Sequence, residues 1–188
     1  YADWDDWVPQ FADPLADYSV VRDQKITIVF EYFEGVVWWP IALSDAYYDS
    51  NVLGNDDLFL HNDSTEGRFN IYNLSSALMA TPPYWGRESR TGPLQWGGCR
   101  VSQVTFPSAK SLLVEWHPVR PIPIATESFV SDVSGVGLGL CDGSAGRYHT
   151  RELLPPYPFG DGHGPGTYQP IGVFGMHTVG GWLGRDLK

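Results

Sequence analysis

GVGLGLCDGSAGRYH, residues 135–149, alternates glycine with Val136, Leu138 and Leu140 before it meets Asp142-Gly143. Three chemistries compete for such a stretch: a phosphate loop, a nucleophile elbow and a β corner. A dinucleotide loop needs G-x-G-x-x-G between a strand and a helix. Counted from Gly135 the third glycine falls on Leu140, counted from Gly137 it falls on Asp142, and no G-K-[ST] occurs in the chain. An elbow needs G-x-S-x-G followed by a helix, but DGSAG at 142–146 has Asp142 in the first position. Ser144 with His149 or His177 is therefore a hydrolase only if the fold brings them together, since triads are recognised by geometry. The corner fits best. Side chains alternate across a strand, so Val136, Leu138 and Leu140 share a core-directed face while the glycines leave the other face bare. Asp142-Gly143 then reverses the chain, with positive φ expected at both turn residues.

Outward from this hairpin, KSLLVEWH (110–117) reads as a buried strand ended by Pro118. RVSQVTF (100–106) and KITIVFEYF (25–33) read as further strands, and FNIYNLSSALM (69–79) as a strand entering a looser segment. A short helix is expected from about Pro40 within residues 36–48. Residues 81–98, TPPYWGRESRTGPLQWGG, are loop by composition. The first 18 residues read as an extended lead-in and residues 155–188 as a Pro/Gly-rich tail. With 188 residues, 21 Gly and 15 Pro, the expectation is one domain over 1–188, α+β to mostly β. Its core would be an antiparallel sheet of short strands joined by long ordered loops.

The bulk chemistry narrows function further. Twelve Lys and Arg against 22 Asp and Glu give a net charge of −10, which repels phosphate backbones and anionic membrane surfaces. No nucleic-acid partner is expected. No run approaches the roughly 18 apolar residues of a spanning helix, so any export signal or anchor is expected outside these residues. The two cysteines, Cys99 and Cys141, form no CxxC; two buried thiols or one disulfide are both open readings. Calcium needs six to eight oxygens, and the candidate carboxylates are Asp56, Asp57, Asp63 and Asp142, although the D-x-D-x-D-G spacing is missing. Glu115, inside an apolar strand, needs a partner, with Arg100 or Arg147 the candidates. Eight tryptophans suit loop packing, subunit contact or a glycan platform.

The same hairpin resembles the C-terminal H-x9-D-G hairpin of the pilin-like and pseudopilin-like proteins abundant in planctomycetes. Asp142-Gly143-Ser144 matches the D-G-S, Gly135 falls on a family glycine, and Asp132 stands where the family has histidine. YADWDDWVP (1–9) is similar to the family segment that follows its long N-terminal helix. FNIYNLSSALMATPPYW (69–85) and RVSQVTFPSAKSLLVE (100–115) are similar to the segments preceding the hairpin. The resemblance implies a pilin-like globular head, a structural subunit of a type IV pilus-like filament or type II secretion pseudopilus. It implies an extracellular or cell-envelope location, like subunits as partners in a homo-oligomer or filament, and no catalytic site or cofactor, with calcium a loop ligand in some relatives. Membrane contact would run only through an N-terminal helix that these residues lack. A secreted carbohydrate-binding or adhesive module is the alternative, with a hydrolase third.

Overall fold

A computed structural model describes residues 6–8, 18–22, 26–30, 32–36, 39, 60–63, 67–70, 72–115, 135–157 and 174–188. Its centre is a four-stranded antiparallel sheet in the order β5-β6-β7-β8. The strands are β5 (Tyr72–Leu74), β6 (Ser111–Glu115), β7 (Val136–Leu140) and β8 (Ala145–Tyr148). Two separate hairpins precede it: β1 (Tyr18–Arg22) with β2 (Ile26–Phe30), and β3 (Leu60–Asp63) with β4 (Gly67–Asn70). No long helix occurs among the described residues, so the mostly-β, antiparallel expectation holds at that level. The helix expected near Pro40 falls largely outside the described residues.

The alternation in β7 does what its residues dictate. Val136, Leu138 and Leu140 are buried, while Gly137 and Gly139 on the other face are only half-buried. They join Leu74, Leu78, Met79, Trp85, Val114 and Leu153 in one core. In register, Leu138 faces Val114 of β6 and Gly146 of β8. A bulge between Ser111 and Leu113 bends β6 where it meets Leu140.

Two expectations need correction. RVSQVTF does not form a strand: Val101–Gln103 is a single 3-10 turn. Its imperfect alternation leaves only Val104 deeply buried, and the Arg100 N–H donates to Gln103 Oε1 at 2.8 Å, closing the chain on itself instead of offering a ladder. The Asp-Gly turn also differs. Gly143 N–H donates to Leu140 O (3.0 Å) and Leu140 N–H to Ser144 O (2.7 Å), which makes a three-residue loop, Cys141-Asp142-Gly143. Positive φ occurs at Gly143 alone (89°). A turn followed by one left-handed glycine is the next most common hairpin solution after the two-residue loop.

The expected loop 81–98 is ordered by 3-10 turns at Pro82–Trp85 and Pro93–Gln95. Thr81 N–H donates to Gln95 O, and Gly97 N–H to Met79 O. Arg90 stacks over the Tyr84 ring at 4.4 Å and donates to its hydroxyl. An aromatic cluster fills the space beneath: Tyr32 stacks on Trp96, and Phe33 meets Tyr84, Trp85 and Trp96. Of the lead-in, residues 6–8 dock here: Val8 N–H donates to Cys99 O and Trp7 bridges Arg100. The end of the tail docks too, since Asp186 and Leu187 N–H both donate to Ala109 O.

Candidate functional site

Two acid–base clusters lie at the two ends of strand β6. The first lies on the bare face of β7. Because Gly137 carries no side chain, Glu115 folds over it; a Cβ there would lie 2.8 Å from Glu115 Oε2. Gly137 N–H donates to that oxygen at 3.0 Å. Arg147, opposite Gly137 on β8, donates through Nη2 to both Glu115 oxygens (3.0 and 2.8 Å) and through Nη1 to Gly135 O. The glycine face is thus a seat for an ion pair that ties three strands together. Arg147 is the partner among the two arginines considered; Arg100 instead lies over the Trp7 ring.

The second cluster is buried. Lys110 is fully enclosed, and its Nζ lies 3.1 Å from Asp186 Oδ2. Lys110 Nζ also donates to Thr178 Oγ1, and Thr178 Oγ1 donates to Asp186 Oδ1 at 2.5 Å. Ser111 contributes its N–H (2.9 Å) and hydroxyl (2.6 Å) to Asp186 Oδ2, and its hydroxyl also contacts Gly175 O. The cluster joins the start of β6 to the C-terminal tail. Beside it, His177 stacks on Trp85 with ring centroids 6.0 Å apart. Burial, with Lys110 adding to it, pushes the His177 pKa down to about 3, so the ring is neutral at pH 7.

The residues singled out from sequence are dispersed. Asp142 sits exposed in the hairpin loop, where its Oδ1 accepts from Ser144 N–H (2.9 Å) and Ser144 Oγ (2.6 Å). Those two hydrogen bonds lower the Asp142 pKa. Ser144 is therefore occupied in holding the turn. His149 starts the 3-10 turn Thr150–Glu152 and His177 lies in the core. Asp63 ends β3, while Asp56, Asp57 and Asp132 lie outside the described residues. Among the described residues no three His, Cys, Asp or Glu side chains gather as metal ligands. Cys99 and Cys141 are buried free thiols, so no disulfide joins them here. Burial foremost pushes both thiols up to about 12, which keeps them protonated and unreactive as nucleophiles. Of the described tryptophans, Trp39, Trp85 and Trp182 are buried and Trp96 packs on the core.

Lys110, Ser111, Thr178 and Asp186 went unremarked in the sequence. The available signal was a lysine and a serine opening an apolar strand directly after Pro107-Ser108. Nothing local announces that a threonine and an aspartate 68 and 76 residues later complete the group. No family model, curated protein or solved structure matches this chain.

Proposed function

We propose that this chain is the globular head of a structural subunit, assembling in an extracellular or cell-envelope filament of the type IV pilus or type II secretion kind. One observation carries the reading. Segments 69–85, 100–115 and 135–149, which bear the resemblance in sequence, supply all four strands of one sheet. Trp7 and Val8 of the lead-in dock beside them at Arg100 and Cys99. Residues that match as separate words in sequence are neighbours in space, as parts of one scaffold need to be.

The two ion-paired clusters at the ends of β6 support the same role, because their groups hold strands and tail together. The Asp142-Gly143-Ser144 motif is a self-satisfied turn, and the family-like glutamate at the end of β6 is the anchor for Arg147. In this role no group needs to meet a substrate. Subunit contact would instead fall on apolar side chains at the surface, with Leu94 at 95% exposure the most prominent and Phe106, Val179 and Leu183 about half exposed.

The residues encoded ahead of Tyr1 provide the test. A short basic leader followed by a long apolar helix is expected there. A conventional cleaved signal peptide joined directly to Tyr1 would overturn the filament reading and favour a secreted binding module.

A further inference from the structure

A single exposed leucine is ordinary on a protein surface, but Leu94 stands in a loop that is held rigidly and charged unlike the rest of the chain. It is 95% exposed on the 3-10 turn Pro93–Gln95, beside exposed Pro93. The turn is pinned from several sides. Gln95 Oε1 accepts from Thr91 N–H at 2.6 Å, and its Nε2 donates to Ser89 O at 2.8 Å. Gln95 O accepts from Thr81 N–H, and Arg90 N–H donates to Gly86 O. Ser89 Oγ donates to Pro83 O, while Arg90 lies over the Tyr84 ring and donates to its hydroxyl. Gly92 bends the chain at φ 111°, which glycine adopts without strain. An apolar side chain presented in a fixed position loses little further freedom when a partner closes over it.

Charge supplies the second observation. Residues 72–109 contain Arg87, Arg90 and Arg100, but of the chain's 22 acidic residues only Glu88. The stretch is net positive in a chain of net charge −10. Two copies of so acidic a protein repel one another over most approaches. Attraction returns where an arginine-bearing surface meets carboxylates. Arg87 is exposed seven residues before Leu94, and Asp142 and Glu152 are exposed carboxylates outside the stretch. Set against its own symmetry mate, the arginine loop would meet like charge. A contact that uses the attraction is therefore heterologous, with the loop of one copy on a different, acidic surface of the next.

We propose that residues 86–97 form a docking loop for a second copy of this chain, with Leu94 as the apolar anchor and Arg87 and Arg90 selecting an acidic face. The proposal deepens the filament reading and rests on it, since a heterologous contact that repeats is what an extending assembly requires. Each copy that joins leaves one loop and one acidic face unused, and growth continues from both.

Sedimentation velocity of the 188-residue chain tests this. In low salt the mean mass should climb with concentration beyond that of a dimer. In 1 M salt, where the Debye length is roughly 3 Å, it should fall back toward the monomer. Leu94→Ser and Arg87→Glu should each weaken association about tenfold, with Tm unchanged because both side chains are exposed. Added in excess, the Leu94→Ser variant still offers its acidic face and should cap the unaltered chain at short assemblies. A monomer at every concentration overturns the proposal, as does association that stops at a dimer or ignores both substitutions. Retention on a sulfated polysaccharide without self-association overturns it in favour of an anionic glycan partner. The residues ahead of Tyr1 are read separately, so failure of the loop contact and failure of the filament reading are told apart.

Discussion

Strand β6 carries one acid–base pair at each end, and the two are built on opposite principles. Glu115–Arg147 lies over a glycine face with the arginine side chain half exposed (49%). Lys110–Asp186 has side-chain exposures of 0% and 4%. A pair open to water gains little, because solvent screens the attraction and two long side chains lose freedom. A buried pair is costly to assemble, and costlier still to break from one side, because a lone charge stays behind. The exposed pair therefore trims the sheet, while the buried group anchors the tail to the start of β6 beside its backbone hydrogen bonds.

The largest predicted effect breaks that comparison at its buried end. Lys110→Ala should cost about 3–5 kcal/mol in denaturant unfolding, with Asp186 left uncompensated. A loss no larger than that of Glu115→Ala would mean the two pairs do not differ as described.

Acid sharpens the comparison next. His177 has an ordinary pKa of 6.5 and a folded value of about 3. Below 6.5 the unfolded chain binds a proton that the folded chain refuses, so stability is full above 6.5 and falls as the pH drops toward 3. The slope is about 1.4 kcal/mol per pH unit across that window. His177→Phe should flatten it, and Tm measured from pH 7 to pH 4 checks this directly.

Smaller effects are expected at the hairpin. Gly143→Ala forces a side chain into φ 89° and should cost about 1–2 kcal/mol. Space is not the obstacle, since nothing lies within 4 Å of a Cβ there. Glu115→Gln keeps an acceptor for Gly137 N–H but loses the charge, and should cost about 0.5–1 kcal/mol in low salt. That difference should shrink in 1 M salt, where the Debye length is roughly 3 Å. An undiminished cost in high salt would show that Glu115 acts through its shape and hydrogen bonds alone.

How much of this was legible beforehand differs from residue to residue. Val136, Leu138 and Leu140 announce their shared face because strand periodicity is a local rule. Glu115 announces the need for a partner because a carboxylate in an apolar run is anomalous on its face. The turn was legible as a turn but not in its type, since Asp-Gly serves both two- and three-residue loops and the register of Leu140 with Ser144 selects between them. RVSQVTF misled because alternation over seven residues is weak evidence when Gln103 can satisfy the backbone nearby. Lys110 escaped notice because a lysine at a strand's edge is ordinarily solvated, and its burial depends on a tail that arrives much later in the chain.

The order of residues alone determined the hairpin, the apolar strand before it and the net negative charge. These follow from alternation, turn chemistry and composition, which need no distant partner. Only the tertiary structure decided that Asp186 and Thr178 close around Lys110, and that Glu115 chooses Arg147 over Arg100. Those pairings join residues 32 to 76 positions apart. At such separations spacing carries no information, and the packing of the sheet against the tail sets the geometry.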